Sequence, residues 1–197
     1  MHSTNAGKIG PNAVIQLLLV LQASGLHDVS SSIFTKAGLA GWLTHPPTAM
    51  VDEHKAALLH NMLRSTVPPA MAEALLAAAG KRTADYLLAY RIPRLVQFSL
   101  KLLPSNIAAK ILVSAIRNNA WTFVGSGIFT ARTGRPLSFE IADNPLCTNK
   151  SSTVPLCSWH VAVFQRLFEV LVSPATHVME TDCKSCGGRY CRFVIRW

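Results

Sequence analysis

The stretch HVMETDCKSCGGRYCRFVIRW, residues 177–197, decides the fold of this chain. Its two ends, His177 to Cys183 and Tyr190 to Trp197, are rich in β-branched and aromatic residues. The link between them, Lys184-Ser185-Cys186-Gly187-Gly188-Arg189, has the glycine content of a turn. The pattern predicts two antiparallel strands with Cys183 and Cys191 flanking the turn, where they can oppose each other across it. Glu180 lies three residues before Cys183 on the same strand and needs a bend or bulge to join them.

Upstream, Pro155 introduces a predicted helix from Cys157 to Leu171, with Val161, Phe164, Phe168 and Leu171 along one face. Before it, Trp121 to Ala131 and Leu137 to Ala142 read as a second hairpin turning at Thr133-Gly134-Arg135. Further back the texture is helical. Asp52 to Leu63 is one helix. Pro68-Pro69 opens Ala70 to Ala79, with Gly80 as its C-cap. Arg82 to Tyr90 and Leu95 to Leu103 follow, divided at Pro93, and Ser105 caps Ile107 to Asn118. Near the start, Ala13 to Ala23 could pass for the apolar part of a secretory signal. Gln16 and Gln22 interrupt it and Asn12 can cap it, so an amphipathic first helix ending near Gly25 is expected.

The order of helices, hairpin, helix, hairpin favours an α+β fold, an antiparallel sheet packed on helices, over a doubly wound parallel sheet. With 197 residues, half of them apolar, the chain can build a continuous core. Residues 1–84 are expected to form a helical region packing on a core domain of residues 85–197.

Four of the five cysteines fall in the final 41 residues. Clustered thiols in odd number suit a metal in a reducing compartment better than a disulfide framework, so the expected location is cytoplasmic. Cys157, Glu180, Cys183 and Cys191 form a candidate closed metal site tying the helix to the last hairpin, most naturally around a structural zinc. Cys186 leaves an alternative open, an iron-sulfur cluster on Cys157, Cys183, Cys186 and Cys191. Cys147, in the polar loop from Asp143 to Ser152, reads as a free thiol.

The net charge is +9, with 19 basic against 10 acidic side chains, and the basic residues are dispersed. No dense basic stripe or helix-turn-helix is visible, so nucleic acid is not an expected partner. An acidic small molecule or peripheral contact with an anionic membrane surface fits better. No stretch reaches the ~20 apolar residues of a membrane span.

The spacing Cys157-x22-Glu180-x2-Cys183-x7-Cys191, within the hairpin, helix, hairpin order and ending Cys183-Lys-Ser-Cys186-Gly-Gly-Arg-Tyr-Cys191-Arg-Phe193, resembles the 4-vinyl reductase domain family over roughly residues 85–197. In overall length and its Ile9-Gly10-Pro11-Asn12 start, the chain resembles the divinyl (proto)chlorophyllide vinyl reductase family of bacteriochlorophyll biosynthesis. The resemblance implies a fold related to 4-vinyl reductase and TRAPP-type domains, with zinc at Cys157, Glu180, Cys183 and Cys191. It also implies a magnesium tetrapyrrole as ligand, enzymes of that pathway as partners, and a homodimer like that of the family's sensor members.

Reducing a vinyl group needs a hydride or electron source that side chains do not supply. The run Gly125-Ser126-Gly127 lies in a predicted strand and lacks the context of a dinucleotide loop. The expected function is therefore binding and delivery of the tetrapyrrole. Vinyl reduction and a protein-interaction adaptor are the alternatives. A tetrapyrrole host needs an apolar slot, a basic rim and one imidazole. Trp121, Phe123, Phe129, Phe139 and Trp159 are candidates for the slot, Arg91, Arg94, Lys110 and Arg117 for the rim, and His160 for the imidazole.

Overall fold

In the computed structural model, which describes residues 7–147 and 151–197, the last hairpin sits inside a four-stranded antiparallel sheet. Its strands are β3 (Ile128–Arg132), β4 (Leu137–Ala142), β5 (His177–Asp182) and β6 (Cys191–Arg196), in the spatial order β3-β4-β6-β5. A separate two-stranded ribbon pairs β1 (Lys8–Ile9) with β2 (Val51–Asp52). On β4 the alternate residues Leu137, Phe139 and Ile141 are buried, as are Cys191, Phe193 and Ile195 opposite them on β6. This period of two turns one face of the sheet to the core.

That face is covered by α8 (Ser158–Leu171). Phe164 packs edge-on against Phe139 and Phe193, at ring separations of 5.0 and 5.4 Å, and Phe168 adds to the stack at 5.9 Å from Phe139. Such rings contribute both buried area and a geometric preference. Behind α8 lies α4 (Pro69–Tyr90), and behind α4 lies α1 (Asn12–Ala23). The remaining helices are α2 (His27–Lys36), α3 (Glu53–Thr66), α5 (Arg94–Leu102), α6 (Ser105–Asn118) and the single turn α7 (Trp121–Val124). The buried core is continuous, and α4 runs unbroken through residues 84 and 85.

The α+β architecture is as expected, and four local expectations are corrected. Gly80 does not cap a helix. It lies inside the 22-residue α4, where a Cβ would come within 2.2 Å of the Trp159 carbonyl oxygen, so glycine is what lets α4 approach α8. Asn12 makes no cap hydrogen bond; Pro11 holds the cap position, and Asn12 accepts instead from Gln16 Nε2 at 3.1 Å. Ser105 likewise begins α6 without capping it, and its hydroxyl donates to the Val172 carbonyl at 3.1 Å. Asp52, in contrast, does cap α3, accepting from the His54 N–H at 2.8 Å.

The fourth correction concerns Trp121 to Ala131, which is not one strand. Residues 121–124 form α7, a turn follows, and β3 begins at Ile128. The cause is Glu53. Its buried carboxylate accepts from the Ser126 N–H and hydroxyl, each at 2.7 Å. A Cβ on Gly125, which adopts φ +57°, would sit 1.8 Å from Glu53 Oε2. The glycine run therefore wraps a carboxylate of the protein itself.

Candidate metal centre

Two chain reversals and a helix start converge at one end of the sheet. The strand β5 carries an irregularity between Glu180 and Asp182, which pair with Phe193 and Arg192 of β6, so the expected bulge is present. Beyond it Cys183 accepts backbone hydrogen bonds on its carbonyl from Cys186 and Gly188, both at 3.0 Å, closing the turn. Gly187 adopts φ +85° there, and a Cβ on Gly188 would lie 2.8 Å from the Cys183 oxygen. The paired glycines are thus a steric condition for the turn that aims Cys183 inward.

Cys157 stands at the N-cap of α8, and Cys191 opens β6. The fourth sulfur is Cys147, at the end of a short 3-10 turn, Pro145–Cys147. All four cysteines are buried, and their sulfurs lie within 4.8 Å of one another. Cys147 Sγ is 2.8 Å from Cys157 Sγ and 3.4 Å from Cys191 Sγ, and the last two are 3.4 Å apart. Four thiolates arranged tetrahedrally around one zinc, with bonds of about 2.3 Å, have sulfurs about 3.8 Å apart. The group is drawn slightly tighter than that and needs to open only a little around an ion. Cys147, expected as a free thiol in a polar loop, is therefore a member of the group that could hold a metal.

Glu180 occupies a different place beside the same group. Its Oε2 accepts from the Cys157 N–H at 2.8 Å, so the carboxyl caps the start of α8. Its Oε1 is buried with no hydrogen-bond partner among the described residues. Burial pushes the Glu180 carboxyl up to about 9, opposed by hydrogen bonding to Cys157 and reinforced by the Cys183 thiolate. An unsatisfied carboxyl oxygen beside four thiols fits a site built for a cation. Burial also raises the Cys157 thiol well above its ordinary range, a cost that coordination to a metal would remove.

Cys186 is exposed and lies outside this group. Sulfurs within 4.8 Å of one another leave room for one ion, whereas an iron-sulfur cluster spaces its thiolates around a core of several atoms. The donor set suits a single thiophilic ion with every position closed, which ties the 3-10 turn, α8 and both strands of the last hairpin together.

Neighbouring groups hold the ligand-bearing segments. The Arg64 guanidinium, projecting from α3, donates to the carbonyls of Leu146 and Leu156 at 3.2 and 2.8 Å, one residue before Cys147 and Cys157 respectively. Asn144 donates to Cys157 Sγ at 3.4 Å, and Ser185 donates to the Cys147 carbonyl at 3.1 Å. Arg64 also brings positive charge toward a cluster that is anionic when deprotonated. Sequence reading passed over Arg64; the available signal was an arginine directly after the apolar Met62-Leu63 of a helix face.

The residues expected around a ligand are distributed differently. Phe123 and Phe129 pack edge-on at 5.5 Å and continue through Phe139 and Phe164 into the core. Trp159 and His160 are buried beside each other, with rings 4.9 Å apart. The two nitrogens of His160 form no hydrogen bond among the described residues. Burial drives His160 down to about 3, with the nearby Phe123 backbone opposing it, so the ring is neutral. Trp121 stands apart, 60% exposed. Arg91 and Arg94 are exposed at the junction of α4 and α5, and Arg117 donates to the Ala131 carbonyl at 3.3 Å.

Of the basic candidates, Lys110 borders a groove. It is open, of about 780 Å³, between α6 and the end of the sheet. Lys110 and Val113 line it from α6, Arg135 and Leu137 from the β3–β4 connection, and Arg196 and Trp197 from the end of β6.

The family model of the vinyl-4-reductase domain matches residues 137–197, the segment from β4 to the chain end that carries all four grouped cysteines. The chain is 45% identical over 190 residues to the bacteriochlorophyll synthase 23 kDa chain of Cereibacter sphaeroides, covering 96% of this chain and 91% of that one. It is 40% identical over 188 residues to the protein of the same name from Rhodobacter capsulatus, covering 95% and 86%. Among solved structures, the phenol-responsive sensory domain of the transcription activator PoxR has a similar fold. The TM-score is 0.51 at 14% identity, with 74% of each chain covered.

Proposed function

The chain belongs to the family of the bacteriochlorophyll synthase 23 kDa chains, and on that premise we propose that it binds a magnesium tetrapyrrole intermediate of bacteriochlorophyll biosynthesis and delivers it to enzymes of the pathway. The observation that carries this reading is the groove between α6 and the sheet end. A tetrapyrrole of this pathway has a flat apolar face and carboxylates at one edge. The groove offers the Trp197 ring, Val113 and Ile195 to the face, and Lys110, Arg135 and Arg196 to the carboxylates. The aromatic cluster of Phe123, Phe129, Trp159 and His160 then serves as the packed floor beneath the sheet.

The metal in this reading is zinc, held by Cys147, Cys157, Cys183 and Cys191, with Glu180 orienting Cys157. A closed set of thiolates leaves no position for substrate, so the ion would secure the fold. Vinyl reduction, the alternative, requires a reductant supplied from outside, since the glycine run is committed to Glu53.

Titration with magnesium protoporphyrin tests the carrier reading. A saturable shift of the porphyrin absorption band is expected, weakened about tenfold by Lys110→Glu or Arg135→Glu. Arg189→Glu, away from the groove, is expected to leave it unchanged. The absence of saturable binding, or equal binding by all three variants, would remove the proposed site.

A further inference from the structure

The helix α5 inverts the usual arrangement of a surface helix. Of its nine residues only Leu100 is buried, while Leu95, Phe98 and Leu102 are 82%, 62% and 71% exposed. These three are spaced three and four apart and share one face, opposite Leu100. The apolar surface extends to Tyr90 before the helix, 75% exposed, and to Ile107 and Ile111 on α6, 47% and 45% exposed. Pro93 and Pro104 bracket α5, so the segment is a short separate helix standing on the body of the protein.

Charge is arranged around the same surface. From Tyr86 to Phe139 the sequence contains no acidic residue, whereas Arg91, Arg94, Lys101 and Lys110 are all exposed. The acidic side chains on the neighbouring helices, Asp85 of α4 and Glu169 of α8, are both engaged by Arg166. An exposed apolar face flanked by lysine and arginine and free of carboxylates has the chemistry of an interfacial helix on an anionic bilayer. A second copy of the chain is a poor occupant, because joining two such faces brings like charges together.

We propose that α5, with the adjoining ends of α4 and α6, is a docking surface for anionic phospholipid membranes, with Leu95, Phe98 and Leu102 entering the interface and Arg91, Arg94, Lys101 and Lys110 meeting the headgroups. Among the described residues no helix is long and apolar enough to cross a membrane, so the contact is peripheral. The inference stands independently of the carrier reading, though α6 borders both the docking surface and the groove. Docking would place the groove beside the bilayer.

Flotation of the full chain with phosphatidylglycerol–phosphatidylcholine vesicles, against phosphatidylcholine alone, tests the proposal. The protein should float with the anionic vesicles and be released as salt rises. Replacing Leu95, Phe98 and Leu102 together by serine should lower binding roughly tenfold or more, and Arg94→Gln with Lys101→Gln should lower it several-fold. Both variants should keep the melting temperature and metal content of the parent, because the residues changed are exposed. A Phe98→Trp variant should show a blue-shifted emission on vesicle binding. No flotation with anionic vesicles, equal flotation of the serine variant, or a serine variant that changes only the oligomeric state would overturn the proposal.

Discussion

At the metal corner four thiols and a carboxyl are buried, whereas on α5 three large apolar side chains face the solvent. The two regions depart from ordinary partitioning in opposite directions. Buried polar groups persist only when something satisfies them, and a cation does that for the thiols and Glu180. Exposed apolar groups of this size gain from a partner that removes them from water. The first region is therefore complete only with its ion, and the second only with its surface. Their expected energetics differ accordingly.

The largest effect is expected at the corner. Cys157→Ser or Cys191→Ser should abolish stoichiometric metal binding and lower the melting temperature by more than about 10 °C, since metal binding is coupled to folding. Cys147→Ser should behave in the same way and Cys186→Ser should not, as read by metal analysis and calorimetry. Full metal retention in Cys147→Ser would return the fourth position to Glu180.

Next in size are two packing changes. Leu100→Ala, which empties the one buried position of α5, should cost about 2–3 kcal/mol in urea unfolding. Gly80→Ala should cost about 1–3 kcal/mol or more, because its Cβ meets backbone that cannot swing aside.

Acid should weaken the protein through its buried imidazoles. His60, whose Nε2 lies 2.9 Å from the Ala13 carbonyl, and His160 are both lowered to about 3 by burial. Between about pH 6.5 and pH 3 the unfolded chain binds these protons and the folded chain does not, so stability falls as pH falls through that window. At pH 5 the loss should be about 2 kcal/mol per histidine relative to neutral pH. His160→Phe should flatten the dependence of the urea midpoint on pH; an unchanged slope would show that His160 protonates within the fold.

The smallest effect is expected back on α5. Leu95→Ala should change stability by less than about 0.5 kcal/mol, in contrast to Leu100 on the same helix. A larger loss would mean that Leu95 packs on the body of the protein and that the exposed face is smaller than described.

Much of this was legible from local pattern. The β4 bounds, the α8 helix, the last hairpin and the need for a bulge at Glu180 followed from alternation, helical periodicity and turn composition. The misreadings share a cause. Gly80 has the local signature of a C-cap, Asn12 that of an N-cap, and Trp121 to Ala131 that of a strand, yet each was decided by another partner: the Trp159 carbonyl, Pro11 with Gln16, and the Glu53 carboxylate. Local propensity is a small energy that tertiary contacts override.

Residue order alone carried an α+β chain, a sheet with alternating buried residues, and a metal-suited cluster built on Cys157, Cys183 and Cys191. Which fourth group joins them was a matter of tertiary closure. Cys147 reaches the cluster because the 3-10 turn at Pro145–Cys147 is held by Arg64 from a helix about 80 residues earlier in the chain, and spacing along the chain carries no trace of that closure. Exposure of the α5 face was equally beyond reach, because an amphipathic pattern shows that a helix has two sides and only the surrounding fold decides which side faces water.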